Sequence, residues 1–300
     1  MKSKLSILYL VFSYNLLVKY MDELLKIYYG IDIKIDKIFD KIIFTYKNND
    51  YILIKEKYID FDLINYLLSF SYINKPIVNT YDSYITEYQD SYYLLFYYNE
   101  YKININDINI FLNQNINIID NHTYEKWCKK IDYHEYQITQ FGARYLKLRK
   151  SINYVVGLSE IGIQLLNTID LNMCYSCYVH KRISDSLFEF KNPLNICIDY
   201  RIRDLSEYIK YMFFYKDQEI FNEVIKNIKL TIEEYKLLFA RLLLITPYYD
   251  MYESIIDEKK DEKEIEIIVN KLNNYENYIK KIYLYLKRYI NIDTIELFND

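Results

Sequence analysis

Three segments near the middle of the chain decide the fold: Tyr178-Val-His-Lys-Arg-Ile183, Asn195-Ile-Cys-Ile-Asp199 and Arg203-Asp-Leu-Ser-Glu-Tyr-Ile-Lys210. The first two are short β-rich runs, and the third has the apolar spacing of a helix. A histidine follows the first run, an aspartate ends the second, and an aspartate stands at the start of the helix. The pattern predicts a hairpin over residues 175–200.

This order resembles the catalytic half of small-molecule kinases of the aminoglycoside or choline type. Those enzymes carry His-x-Asp on a loop, a strand that ends in a metal-binding Asp, and Asp-Leu at the start of the next helix. His180 and Asp199 match, but Arg182 stands where the loop Asp is expected. Phosphoryl transfer needs one carboxylate near the attacking hydroxyl and another that holds magnesium. An arginine can do neither.

Each candidate catalytic residue has a functional and a structural interpretation. Asp199 either holds magnesium and nucleotide, or it accepts hydrogen bonds from the following turn or pairs with Arg203 or Arg201. His180 is expected to position the loop through a backbone hydrogen bond rather than to act in acid–base chemistry. Arg182 either binds an anion such as phosphate or pairs with Asp185 or Asp199.

Two further acidic positions belong to the same region. Asp204 is expected to be a helix cap and a salt-bridge partner, since carboxylates are favoured at helix N-termini. Asp185 and Ser186 lie near the place of a second metal ligand, but their spacing alone does not make Asp185 a catalytic base.

The N-terminal third predicts a small β-rich lobe over residues 21–99. Its order is strand, strand, helix, strand, strand, which is typical of a kinase small lobe, at residues 41–46, 51–55, 61–72, 84–88 and 91–98. Lys47-Asn-Asn-Asp50 has turn chemistry, so the first two strands are expected to form a hairpin. Tyr51-Ile-Leu-Ile-Lys55 resembles the kinase strand whose lysine grips the nucleotide phosphates. Lys55 is therefore the candidate nucleotide-binding residue, with Asp60 or Asp62 as a partner; the alternative is an ordinary solvated lysine.

The remaining chain predicts a hinge and a second, mainly helical lobe. Residues 100–123 form the hinge and residues 124–300 the large lobe, which includes the hairpin. Thr231 and Glu234 have the spacing of a capping box, and the last helix is expected over residues 262–289. Residues 1–20 are an extension: an amphipathic helix or the product of a start codon upstream of Met21. Asn15 and Lys19 interrupt the apolar run of this extension before it reaches the roughly 20 residues that a membrane span requires.

Composition excludes several function classes. A net charge of -4 gives no electrostatic footprint for nucleic acid. Only 4 glycines are present, and none forms a Gly-rich phosphate loop. Cys174-Tyr-Ser-Cys177 lacks the second pair that a structural zinc site requires, so buried structural thiols are expected. The 38 tyrosines are interpreted as the bias of a low-GC genome.

Several blocks resemble the YutH group of spore coat-associated proteins, relatives of the CotS-type coat kinases. Ile152-Asn-Tyr-Val-Val-Gly-Leu-Ser-Glu-Ile-Gly-Ile-Gln164 is similar to that group's Tyr-Leu-Gly-Leu-x-Glu-Asn-Ala-Ile-Gln, and Val179-His-Lys-Arg-Ile183 to its Cys-His-x-Arg-Phe. The segment 198–209 is similar to its Phe-Asp-His-x-x-Arg-Asp-Leu-Ala-Glu-Trp-Ile. Further matches lie at residues 127–132, 237–244 and 248–250. The sequence departs from the group at Tyr200, where the group has His, and at Ile161-Gly162, where it has Asn-Ala.

The resemblance implies an α+β, protein-kinase-like two-lobed fold of the aminoglycoside phosphotransferase type, in an endospore-forming, low-GC Gram-positive bacterium. It implies a location in the mother-cell cytoplasm and the spore coat, with other coat proteins or a small molecule as partners. Because the group itself has Arg at the position of Arg182, the replacement of the loop Asp is an ordinary feature of the group and not a change in this chain alone.

Three hypotheses follow. The first is a coat-associated pseudokinase or binding protein. The second is an active phosphotransferase that uses Mg-ATP to phosphorylate a coat or cell-wall component. In this hypothesis Asp199 binds the magnesium ion and Lys55 binds the phosphates. The third is a helical interaction protein without kinase ancestry, which the absence of a five-stranded small lobe would favour.

Overall fold

The computed structural model describes residues 20–35, 40–108, 116, 122–226 and 228–290. The expectations for residues 1–19, and for most of the hinge between residues 108 and 122, lie outside the described residues. The chain divides into two compact units. Unit 1 comprises Met1–Lys102 with Ser186–Asn195, and unit 2 comprises Ile103–Asp185 with Ile196–Asp300.

Unit 1 is built on an antiparallel sheet with strand order β1-β2-β4-β3. The strands are β1 (Lys41–Tyr46), β2 (Asn49–Glu56), β3 (Thr86–Tyr88) and β4 (Ser91–Tyr97). β1 and β2 form the predicted hairpin, with Lys47 and Asn48 at positive φ in its turn. Both central residues of a tight hairpin turn need this left-handed conformation. The predicted helix between the two strand pairs is α2 (Phe61–Leu67), capped by the Asp60 side chain.

The described part of the sheet has four strands, not five. A helical segment, α1 at residues 20–29, ends at Gly30, which has a φ of +65°. Glycine adopts this conformation without strain and commonly ends helices. The amide of Ile31 then donates to the Leu25 carbonyl, and the amide of Ile35 donates to the Asp22 side chain. Residues 31–35 thus direct these amides to α1 instead of pairing as a strand.

The segment 186–195 packs into unit 1 although it interrupts the sequence of unit 2. It contains α6 (Leu187–Lys191) and a 3-10 turn (Pro193–Asn195). Phe188 is buried and lies edge-on to Phe96 of β4, with ring centroids 5.5 Å apart. Lys41 of β1 also pairs with Glu189 at 2.7 Å.

Unit 2 is mainly helical around one two-stranded hairpin, β5 (Ser176–His180) and β6 (Ile196–Tyr200). Its helices are α3 (Ile105–Ile108), α4 (Thr123–Phe141), α5 (Leu146–Leu166), α7 (Ile202–Lys216), α8 (Phe221–Ile225), α9 (Ile232–Leu243), α10 (Thr246–Ile256), α11 (Glu266–Val269) and α12 (Leu272–Leu286). The predicted capping box of Thr231 and Glu234 begins α9. The single helix predicted over residues 262–289 is wrong, because a turn at Asn270 and Lys271 separates α11 from α12.

Helices α5 and α9 pack closely through a small residue. A Cβ added to Gly162 of α5 would lie 2.8 Å from the carbonyl oxygen of Ala240 on α9. Protein interiors are packed densely enough that such a contact forces a backbone shift. The departure from the group's alanine at this position therefore has a local packing reason.

Among the described residues, no helix combines the length and apolar character needed to cross a membrane.

Candidate functional site

Strands β5 and β6 bring the predicted site residues of unit 2 to one hairpin. The strands are antiparallel, with Cys177 opposite Asp199 and His180 opposite Ile196. β5 is buried along its whole length. In this register Asp199 is paired near one end of the ladder and His180 at the other end.

His180 is fully buried and bound to the first turn of α7. Its backbone amide donates to Asp204 Oδ1 at 2.8 Å, and its Nδ1 lies 2.6 Å from Asp204 Oδ2. Asp204 is also buried. Because the Asp204 carboxylate binds both the main chain and the ring of His180, it fixes the end of β5 against α7. Asp204 therefore pairs with His180 from the first turn of α7, but the prediction that it caps this helix is wrong, because the N-cap is Arg201 and α7 has no side-chain cap.

Asp199 is held between two arginines. Its Oδ2 accepts from Arg203 at 2.8 Å, and its Oδ1 accepts from Arg241 at 2.8 Å and from the Tyr200 amide at 2.6 Å. The Asp199 side chain is 17% exposed. Burial alone would raise the pKa of Asp199, but the positive charges of Arg241 and Arg203 outweigh it and the pKa is lowered. The carboxylate remains ionised as the centre of an ion triad.

Arg241 reaches Asp199 from the buried face of α9. Its guanidinium lies 5.5 Å from the ring centroid of Trp127 on α4, the single tryptophan of the chain. This distance is that of a cation–π contact. The Nε atoms of Arg241 and Arg203 are buried, and neither has a hydrogen-bond partner among the described residues. Trp127 thus lies within the same network as Asp199.

Arg182 binds a carboxylate on α10. Its Nη2 and Nε atoms contact the two Asp250 oxygens at 2.6 Å and 2.5 Å. This is the bidentate geometry in which arginine binds carboxylates most firmly. Burial raises the pKa of Asp250 even though Arg182 and Lys130 oppose this effect. The carbonyl of Lys181 accepts from both Arg182 and Arg203, which links this pair to the Asp199 triad.

The donor set of this network does not suit magnesium. Hard divalent cations prefer several carboxylate and carbonyl oxygens. Asp199 instead has guanidinium groups on both of its oxygens. In the described part of the chain, no group of three or more His, Cys, Asp or Glu side chains is placed to hold a metal ion.

Lys55 belongs to unit 1, whereas His180, Arg182 and Asp199 belong to unit 2. It lies on β2 opposite Tyr93 of β4, and its Nζ is 5.9 Å from the Tyr93 ring centroid. Asp60 caps α2, and Asp62 lies exposed in its first turn. The nucleotide-binding role of Lys55 stays a prediction.

The other sequence candidates have structural contacts. Asp185 accepts from the Tyr211 hydroxyl at 2.7 Å and pairs with Lys216 at 2.7 Å. Ser186 caps α6. Cys174 and Cys177 are buried, and burial raises the pKa of the Cys174 thiol to about 12 and that of Cys177 further. Both thiols are therefore poor nucleophiles at neutral pH.

The sequence patterns did not indicate the roles of two residues in this network. Arg241 and Asp250 lie 42 and 68 residues away from their partners Asp199 and Arg182. A signal for Arg241 was present, because one charged residue within the apolar run Leu237-Leu-Phe-Ala-Arg-Leu-Leu-Leu244 must find a partner when the helix is buried.

The fold is similar to that of solved aminoglycoside phosphotransferases. Spectinomycin phosphotransferase APH(9)-Ia in complex with ADP and spectinomycin has a TM-score of 0.59 at 13% identity, over 90% of this chain and 98% of that chain. Its AMP-bound complex has a TM-score of 0.54 at 13% identity, over 88% and 94%. An aminoglycoside phosphotransferase from Alicyclobacillus acidocaldarius has a TM-score of 0.51 at 8% identity, over 84% and 92%. At these identities the likeness shows the fold alone, and it excludes the hypothesis of a helical protein without kinase-like architecture.

A comparison with curated proteins finds no match. The model of the family described as "Spore coat putative kinase YutH" matches residues 123–289, which is more than half of the chain. The matched range contains Asp199 with Arg203 and Arg241, as well as the pair of Arg182 and Asp250. The His-x-Arg segment, the strand that ends in Asp199 and the start of α7 all lie within this match. The chain belongs to the YutH family of spore coat kinase-like proteins.

Proposed function

We propose that this protein is a coat-associated pseudokinase, which uses a kinase-like fold for binding rather than for phosphoryl transfer. The observation that carries the proposal is the position of Asp199 between Arg203 and Arg241. In an active kinase the corresponding carboxylate faces magnesium. Here two positive charges already compensate it.

The electrostatics argue against a metal at this carboxylate. A divalent cation at Asp199 would lie beside two guanidinium groups, one of which is only 5% exposed. Repulsion between charges is strong where water is largely excluded. Metal binding would weaken the pairs of Asp199 with Arg203 and Arg241, and loss of a partner is costly for a buried charge.

Arg182 supports the same proposal. It replaces the carboxylate that would accept the proton of the attacking hydroxyl, and its guanidinium is bound to Asp250. The permanent positive charge of arginine excludes it as a general base. Arg182 and His180 then serve to hold the loop after β5.

Membership of the spore coat family supports a role of this binding protein at the coat. We propose that the protein acts in the mother cell of an endospore-forming, low-GC Gram-positive bacterium and in the coat, with other coat proteins or a small polar molecule as partners.

One observation favours the alternative, an active phosphotransferase. The lowered pKa keeps Asp199 ionised, and its Oδ2 atom accepts only one hydrogen bond among the described residues. In this alternative Asp199 holds magnesium, Lys55 holds the phosphates of ATP, and the substrate is a coat or cell-wall component.

The two functions differ in their response to Mg-ATP. For a pseudokinase we expect no ATP turnover above that of the Asp199→Ala variant, and no magnesium-dependent rise in Tm at millimolar ATP. Asp132→Ala, which changes an exposed carboxylate on α4, is the matched control. Turnover that Asp199→Ala abolishes and Asp132→Ala retains would establish the phosphotransferase instead.

A further inference from the structure

A second candidate site lies in unit 1, on the α2 side of the sheet and within that unit alone. It is a cleft of about 330 Å³ whose lining includes Phe61 and Asn65 of α2, Asp82 and Tyr84 of the following loop, Glu87 of β3 and Tyr92 of β4. Phe61 and Asn65 are four residues apart, so both lie on the same face of the helix. Glu87 and Tyr92 are direct partners across β3 and β4.

The walls of the cleft are aromatic. The rings of Phe61 and Tyr92 meet nearly at right angles, with centroids 5.3 Å apart. Phe61 is 43% exposed and Tyr84 is 36% exposed, so both rings remain accessible. Aromatic faces attract alkyl chains through burial of apolar area and cations through their ring quadrupole.

The loop that carries Asp82 and Tyr84 is organised by a buried asparagine. The Asn79 Oδ1 atom accepts from the amides of Tyr81 and Ser83, and its Nδ2 donates to Thr86 Oγ1. Asp82 has a φ of +57° in this loop. Since these hydrogen bonds are already formed, a ligand would not have to order the loop.

The charged residues in the lining of the cleft are all acidic. Asp82 and Glu87 are exposed, and no hydrogen-bond or ion-pair partner of either carboxylate is found within the described residues. The lining contains no lysine or arginine. A cation that enters the cleft would therefore meet two carboxylates without displacing an existing ion pair.

We propose that this cleft binds the ammonium end of an alkyl chain. Asp82 and Glu87 would accept hydrogen bonds from the ammonium group, while Phe61, Tyr84 and Tyr92 would contact the chain. A primary ammonium fits better than a quaternary one, because its N–H groups can use both carboxylates and the Asn65 amide oxygen. A lysine side chain of another protein and a free polyamine share this chemistry.

The test is an NMR titration of the full-length ¹⁵N-labelled protein with cadaverine, with N-acetyl-lysine methylamide and with tetramethylammonium, at constant ionic strength. The variant combines Asp82→Asn and Glu87→Gln. Asparagine tolerates positive φ, so the loop should keep its conformation. Asp90→Asn is the matched control, since Asp90 is exposed, has a φ of +55° and lies in the turn between β3 and β4 outside the lining.

We expect saturable shifts of the Ser83, Ile85 and Tyr92 amides with both primary amines, about tenfold weaker binding by the double variant, and unchanged binding by Asp90→Asn. Removal of two partly exposed ion pairs accounts for a loss of this order. Tighter binding of cadaverine would identify a polyamine, and tighter binding of the lysine derivative a protein side chain. The proposal fails if no amine saturates, if Asp90→Asn weakens binding equally, or if tetramethylammonium binds as tightly as the primary amines.

Discussion

The Asp199→Asn substitution distinguishes a structural carboxylate from a catalytic one by the sign of its effect on stability. In this structure Asp199 compensates Arg203 and Arg241, whose side chains are 23% and 5% exposed. Asparagine keeps one oxygen acceptor but removes the charge. Two largely buried guanidinium groups would then lose the carboxylate that pairs with both of them.

Removal of one partner from a fully buried ion pair costs about 3–5 kcal/mol. The Asp199 side chain retains 17% exposure, and solvent reduces the loss. We therefore expect the free energy of unfolding to fall by about 2–4 kcal/mol in the absence of metal and nucleotide. A carboxylate kept for magnesium would instead be strained or neutral without its ligand, and its loss would leave stability unchanged or raise it.

The assay is urea unfolding followed by Trp127 fluorescence and by far-UV circular dichroism. Trp127 contacts Arg241 and so reports on the network itself. Asp132→Asn on α4 is the matched control, because Asp132 is exposed, and we expect a change within about 0.5 kcal/mol. A stabilised or unchanged Asp199→Asn variant would refute the argument.

Three other predictions follow from the same structure. The pKa of Asp199 is lowered on folding, so the ionised carboxylate stabilises the folded protein above the unfolded pKa of about 3.9, and this stabilisation is lost as the pH falls through the folded pKa. The urea midpoints of the wild type and Asp199→Asn should therefore converge between pH 5 and pH 2.5. A constant difference between the two midpoints would contradict this. Gly162→Ala should gain about 1 kcal/mol of stability from helix propensity but lose about 1–3 kcal/mol through the contact with the Ala240 carbonyl. Thermal unfolding should therefore show a lower Tm, and a raised Tm would contradict the close packing of α5 and α9. Cys174 and Cys177 should react with iodoacetamide at pH 8 far more slowly in the native protein than in urea, as measured by peptide mass spectrometry, and equal rates would contradict their burial.

Local patterns in the sequence predicted much of the fold. Alternating apolar residues and the Lys47-Asn48 turn predicted the β1–β2 hairpin. Thr231 and Glu234, three residues apart, predicted the beginning of α9. Such features depend on neighbours within a few residues, so a pattern can reveal them.

The candidate site was predictable only where its contacts are local. Arg203 is four residues from Asp199, and their pairing was one of the sequence alternatives. The Arg241 contact was not foreseen, because it depends on how α9 packs against the hairpin. The same holds for Arg182, whose partner on α10 could not be found from spacing. Side-chain chemistry thus indicated which groups need partners, and tertiary packing decided which partners they have.

In the proposed pseudokinase, Asp199 serves the Arg203–Arg241 triad and not a magnesium ion. Isothermal titration calorimetry with ATP, with and without an excess of magnesium over ATP, distinguishes the two roles. We expect that magnesium does not tighten ATP binding in either the wild type or Asp199→Asn. Tightening by magnesium of about tenfold or more in the wild type, lost in a folded Asp199→Asn variant, would instead assign Asp199 to the metal.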